Sequence, residues 1–137
     1  MDTSAGGRGP RAAADLLRLW GPVAAWMALL FVVSGQAVVS EVPGLPDWVT
    51  HGAGYAALCA LTCRALSGGL FRAVALRLAV IAVVVSFLYG VTDELHQSFV
   101  PGRHADAWDL LKNLAGAVAG AIACAWPRAA DERRRTA

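Results

Sequence analysis

The sequence predicts an all-α protein: an integral membrane bundle of four transmembrane helices, with the N- and C-termini both cytoplasmic. Three observations carry that expectation. Hydrophobic residues make up 57% of the 137 residues and charged ones only 16%. An ordinary soluble domain carries about 25% charged residues, so the composition suits lipid as the solvent. The apolar residues gather into four runs joined by short connections, and the basic residues fall almost entirely on one side of those runs.

The runs are residues 20–39, 49–66, 74–89 and 107–126. Each holds about 16 to 20 residues, close to the roughly 20 that a helix needs to cross about 30 Å of hydrocarbon. Short connections return each helix antiparallel beside its predecessor, which makes a four-helix bundle. Residues 1–18 precede the first run as a Gly-rich flexible tail, residues 19–127 form the membrane domain, and residues 128–137 form a charged tail expected to be unstructured. The first run is longer than a signal-peptide apolar core and lacks an Ala-x-Ala cleavage site, so a retained helix is expected. Trp20, Trp48, Trp108 and Trp126 stand at segment ends, where an amphipathic ring favours the headgroup level, whereas Trp26 stands within the first run as a packing residue.

Charge placement orients the bundle. Arg8, Arg11 and Arg18 precede the first helix, Arg64, Arg72 and Arg77 surround the second connection, and Arg128, Arg133, Arg134 and Arg135 follow the last helix; of the 12 Lys and Arg, only Arg103 and Lys112 remain for the other side. The positive-inside rule then places both termini of this multi-pass chain in the cytoplasm, with the His and most of the acids facing outward. A net charge of +2 gives no reason to expect nucleic acid. Cys59, Cys63 and Cys124 lie in apolar runs without metal-finger or redox spacing and read as small apolar filler.

The outward side concentrates the chemistry. Asp47, His51 and Tyr55 repeat every four residues, a turn of about 400° per step, and so share one drifting helical stripe with Asp47 as N-cap. Asp93, His96 and Gln97 share a face if the third helix extends that far. Asp109, Asn113, Gly116 and Gly120 share another, and the small residues of Gly116-x-x-x-Gly120 direct that face into the bundle. Acid beside His is the pairing that ligates a metal or performs acid–base work. The Arg103 guanidinium, after the Pro101-Gly102 turn, suits an anion. A plainer reading stands beside each residue. Asp93, Glu94 or Asp106 can tie loop to helix by pairing with Arg103 or Lys112; His104 can be solvated; Lys112 can snorkel outward.

Asp93-Glu94-Leu95-His96-Gln97-Ser98-Phe99-Val100-Pro101-Gly102-Arg103, followed by Asp106, Asp109 and Asn113-Leu114-Ala115-Gly116, resembles the D-E-x-H-Q-x-F-x-P-x-R…D…D…N-x-x-G signature of the VanZ-like family. Asp47-x-x-x-His51-x-x-x-Tyr55 is similar to its upstream D-K-x-x-H-x-x-x-Y element, with Trp48 where the family usually has Lys. The resemblance covers all four runs. It implies a small bacterial membrane protein whose family namesake is associated with lowered susceptibility to teicoplanin, a lipoglycopeptide acting on peptidoglycan precursors at the outer leaflet.

Three functions fit these residues. In the first, an outward polar pocket containing Asp47, His51, Tyr55, Asp93, Glu94, His96, Gln97, Arg103, Asp106, Asp109 and Asn113 binds an envelope lipid headgroup, a lipid-linked precursor or a lipoglycopeptide. In the second, the chain is an intramembrane and metal-assisted hydrolase, with His51, Asp93, Glu94 and His96 as the metal candidates. In the third, the polar residues clamp the helices and a partner protein carries the function. The sequence assigns no cofactor, no oligomeric state and no catalytic residue.

Overall fold

The computed structural model describes residues 10–36, 46–69, 74–102 and 106–136; of these, the side chains of 10, 11, 47 and 126–136 fall outside the description. Four helices make up the described chain, α1 (Pro10–Ser34), α2 (Asp47–Ser67), α3 (Leu76–Gln97) and α4 (Ala107–Thr136), and no strand occurs among the described residues. Two of them, α1 over Ala12–Ser34 and α3 over Leu76–Gln97, are long and apolar enough to cross a membrane. The polar groups of α2 (His51, Thr62, Arg64) and of α4 (Asp109, Lys112, Asn113) keep those helices below that measure.

Several boundaries differ from the expected ones. Helix α1 begins at Pro10, inside the stretch expected as a flexible tail, and ends at Ser34, five residues before the expected position 39. Proline suits a first helical position because its missing N–H has no partner to lose there, and Ala12, Leu16 and Leu17 carry the helix forward. Helix α4 continues through Thr136 instead of ending at 126, because the Ala, Arg and Glu residues of 128–135 favour helix even outside the apolar run. Helix α3 also continues past 89 to Gln97, which brings the acidic and His residues onto it.

Asp47 is the first helical residue of α2 rather than its cap. Pro46 is the N-cap, held extended at φ −60° and ψ 141°, and its carbonyl accepts the Val49 N–H at 2.9 Å. At the other end Gly68 adopts φ 79°, a left-handed conformation open to glycine at little cost. There the N–H groups of Gly68 and Gly69 reach the Ala65 and Arg64 carbonyls.

Helix α2 lies at the centre and packs against all three others, most extensively against α4. The seam with α4 is built on backbone. A Cβ placed on Gly116 would lie 2.1 Å from the Gly52 carbonyl oxygen, and one on Gly120 would lie 2.4 Å from that of Ala56. Beneath it, Cys59 and Cys63 of α2 pack with Ala79 and Ala82 of α3 and Ala117 and Ala121 of α4. Cys124 packs partly buried against that core, as the filler reading expects. Leu58 and Tyr55 meet Val23, Trp26 and Met27 of α1 on the opposite side of α2.

The large apolar residues point the other way. On α3 the buried positions are Ala79, Ala82, Ser86, Gly90, Asp93, Glu94 and Gln97, while Val80, Ile81, Val84, Leu88 and Leu95 are exposed. Phe31, Val32 and Leu29 of α1 are exposed as well. Small and polar residues inside, with large aliphatic residues outside, is the arrangement that lipid tolerates and water does not.

Candidate functional site

Antiparallel packing gathers the C-terminal ends of α1 and α3 and the N-terminal ends of α2 and α4 at one pole, while Arg18 and Arg64 meet near the other. Arg64 there donates to the Leu19 carbonyl at 3.3 Å and the Arg18 carbonyl at 3.1 Å. The first pole carries nearly all of the polar residues singled out in the sequence.

Asp93 is its centre. The carboxylate is 5% exposed and accepts three hydrogen bonds: from Ser34 Oγ at 2.5 Å, from Tyr55 Oη at 3.2 Å and from Gln97 Nε2 at 3.3 Å. Those donors come from α1, α2 and α3 itself. Neutral donors spread over a buried carboxylate offset much of its lost hydration, so this charge is held without a basic partner among the described residues. Tyr55 is positioned by the α2 register expected from the sequence, one turn beyond His51. Gly90, one turn before Glu94, leaves space for the Tyr55 ring: a Cβ there would lie 3.3 Å from that ring.

Glu94 points toward α4. Its Oε2 accepts the Asp106 backbone N–H at 3.1 Å, and Asp106 Oδ1 in turn accepts the Trp108 N–H at 2.9 Å. Asp106 therefore caps α4, and Glu94 holds the cap from α3, so two orphan N–H groups of the helix start are satisfied. Asp109 Oδ1 accepts from Lys112 Nζ at 2.6 Å, so Lys112 reaches one turn back along α4 toward the polar pole. Asn113 is 1% exposed, with Oδ1 3.2 Å from His51 Nδ1 across the α2–α4 seam.

His96 leaves the cluster's centre. Its ring stacks on Phe31 of α1 with centroids 3.9 Å apart. It lies two residues from Glu94, about 200° around the helix, which turns it from the α4 side to the α1 side. The structure thus brings His51, Tyr55, Asp93, Glu94, Gln97 and Asn113 to one polar region between α2, α3 and α4, with Asp106 and Asp109 at its α4 margin. Arg103 and His104 lie outside the described residues, as does the Asp47 side chain. Among the described residues no group of three or more His, Cys, Asp or Glu side chains is placed to hold a metal ion.

Five buried polar atoms have no hydrogen-bond partner among the described residues. Four belong to this pole: Glu94 Oε1, Gln97 Oε1, Asn113 Nδ2 and His96 Nδ1; the fifth, Ser86 Oγ, lies deeper on α3. Buried polar atoms are ordinarily satisfied, so four orphans at one end of a bundle set that end apart from the rest of the described core.

Three contributors carried no signal in the sequence. Ser34 and Phe31 read as ordinary residues of an apolar run, and Tyr89 read as a helix end. Tyr89 Oη donates to the Met27 carbonyl at 2.5 Å, and Trp26, expected to act through packing alone, donates Nε1 to the Gly54 carbonyl at 2.9 Å. Together these contacts hold α1 over the polar pole.

The family model described as VanZ/LLP1 matches residues 19–128. No curated protein and no solved structure matches the chain.

Proposed function

From a chain that belongs to the VanZ/LLP1 family of membrane proteins, with one pole lined by unsatisfied polar atoms, we propose an envelope-binding function. The bundle crosses the bacterial plasma membrane four times with both termini in the cytoplasm. Its polar pole faces outward and binds an envelope lipid headgroup, a lipid-linked precursor or a lipoglycopeptide, contributing to teicoplanin-type tolerance. The four orphaned polar atoms carry this reading. A cluster serving packing alone would satisfy its own groups, as Asp93 does, whereas Glu94, Gln97, Asn113 and His96 each keep an atom in reserve. Charge distribution supports the orientation, with ten of the 12 basic residues at the opposite pole or in the segments leading to it.

The test is teicoplanin susceptibility of a sensitive host expressing wild type or His96→Ala at matched membrane levels, with vancomycin as comparator. The expected outcome is a raised teicoplanin threshold with wild type and its loss with the variant. Equal thresholds in both strains and in the empty host would remove teicoplanin from the function.

A second reading is favoured by Asp93 alone. One carboxylate joining α1, α2 and α3 is what a helix clamp requires, and in that case the chain acts through a partner protein. Unfolding of Asp93→Asn without any folded, inactive protein would support the clamp.

A further inference from the structure

The orphaned atoms differ in chemistry, and the difference selects among headgroups. Glu94 Oε1 is a carboxylate oxygen and accepts only. Gln97 Oε1 is also an acceptor, and its identity is fixed: the amide must turn Nε2 toward Asp93 Oδ2, because a carboxylate has no proton to give. The two acceptors stand three residues apart on α3, on the same helical face, and their residues are 4% and 1% exposed. The Gln97 amide joins the Asp93 carboxylate to this face through its Nε2, at 3.3 Å. No Lys or Arg salt bridge to Asp93 or Glu94 occurs among the described residues; His51 is the basic group that acts on Glu94 across the α2–α3 contact, and Lys112 pairs with Asp109.

We propose that the Glu94–Gln97 face of α3 is a seat for a primary ammonium group, carried by the headgroup of a membrane lipid. The inference rests on the headgroup-binding reading above and narrows it. An ammonium brings three N–H donors and a positive charge, which meets both acceptors and the potential of two buried carboxylates. A hydroxyl brings a single donor and no charge. A trimethylated ammonium brings charge without a donor, and a phosphate or carboxylate brings only acceptors, which two acids repel. The seat therefore separates headgroups that a general polar pocket would treat alike.

The test is competitive lipid retention by the purified full-length protein, read by native mass spectrometry, with phosphatidylethanolamine, phosphatidylcholine and phosphatidylglycerol of matched acyl chains. Free ethanolamine in a parallel titration separates a lipid source from a soluble amine. Expected is retention of phosphatidylethanolamine at least about tenfold over both other lipids, about 1.4 kcal/mol. Glu94→Gln should abolish that preference, while Leu95→Ala on the exposed face of α3 leaves it intact. Wild-type discrimination needs no variant, so the test survives a Glu94→Gln protein that fails to fold. Retention of phosphatidylglycerol or phosphatidylcholine equal to or above phosphatidylethanolamine would overturn the ammonium seat and leave the headgroup function standing. Binding of ethanolamine without any lipid would overturn the lipid source, and no binding of any probe would overturn both the seat and the headgroup function.

Discussion

The α2–α4 seam and the attachment of α1 hold helices in one bundle by different means. At the seam, Gly116 and Gly120 bring α4 within van der Waals reach of the α2 backbone, and the adhesive is close contact between small residues. Helix α1 stands apart from α4 and touches α3 only slightly. It packs mainly on α2, through Val23, Trp26 and Met27 against Tyr55 and Leu58, and is tied further by hydrogen bonds, among them Trp26 to Gly54, Tyr89 to Met27 and Ser34 to Asp93. Its wide apolar face, with Leu29, Phe31 and Val32, is left exposed. Where lipid replaces water, apolar area gives no inward force. Helices then join by close packing and by polar bonds, and this chain weights them differently: backbone proximity leads at the α2–α4 seam, hydrogen bonds at the attachment of α1.

Three substitutions sharpen the contrast, in descending order of effect. Gly116→Ala puts a methyl where the Gly52 carbonyl already stands, and neither backbone can move without lengthening the seam. It should cost about 3 kcal/mol in detergent-solubilised thermal unfolding, the upper range for overpacking, and a seam that accepts Ala unchanged would mean the close approach is not what joins α2 to α4. Asp93→Ala strands the Ser34, Tyr55 and Gln97 donors at once. It should cost about 2 kcal/mol, near the middle of the range for leaving buried polar groups unsatisfied, and should loosen α1 before the seam. Hydrogen exchange would read this as faster exchange in α1 with α2 and α4 still protected. Trp26→Phe removes one hydrogen bond and keeps most of the ring; a loss of about 1 kcal/mol is expected, again confined to α1, and an equal loss of protection in α4 would show that the two attachments are not independent.

The same contrast separates what could be read early from what could not. The GxxxG spacing placed Gly116 and Asn113 on an inward face of α4, and the structure buries both there, because periodicity fixes a face wherever a helix is regular. Helix ends were read less well. Hydropathy marks where a run enters an apolar layer, whereas α1, α3 and α4 continue past those marks on helix propensity and backbone bonding. Among the polar residues, Asp106 read as a site candidate and serves at least as the cap of α4; Lys112 read as reaching outward and binds Asp109. In both cases the nearest partner was one turn or less away, a distance at which local pairing competes with any ligand.

The sequence by itself determined the helical class, the family and the identity of the polar residues, since each depends on composition, spacing or an ordered motif. The tertiary structure alone decided which groups are satisfied. Ser34 reaches Asp93 across 59 residues and Tyr55 reaches it across 38, while Glu94 and Gln97 each keep one bare oxygen. Such pairing depends on the rotation and register of one helix against another, set by where Gly116, Gly120 and Gly90 allow close approach. Periodicity gives each helix its faces, but only the packed bundle determines which atoms meet.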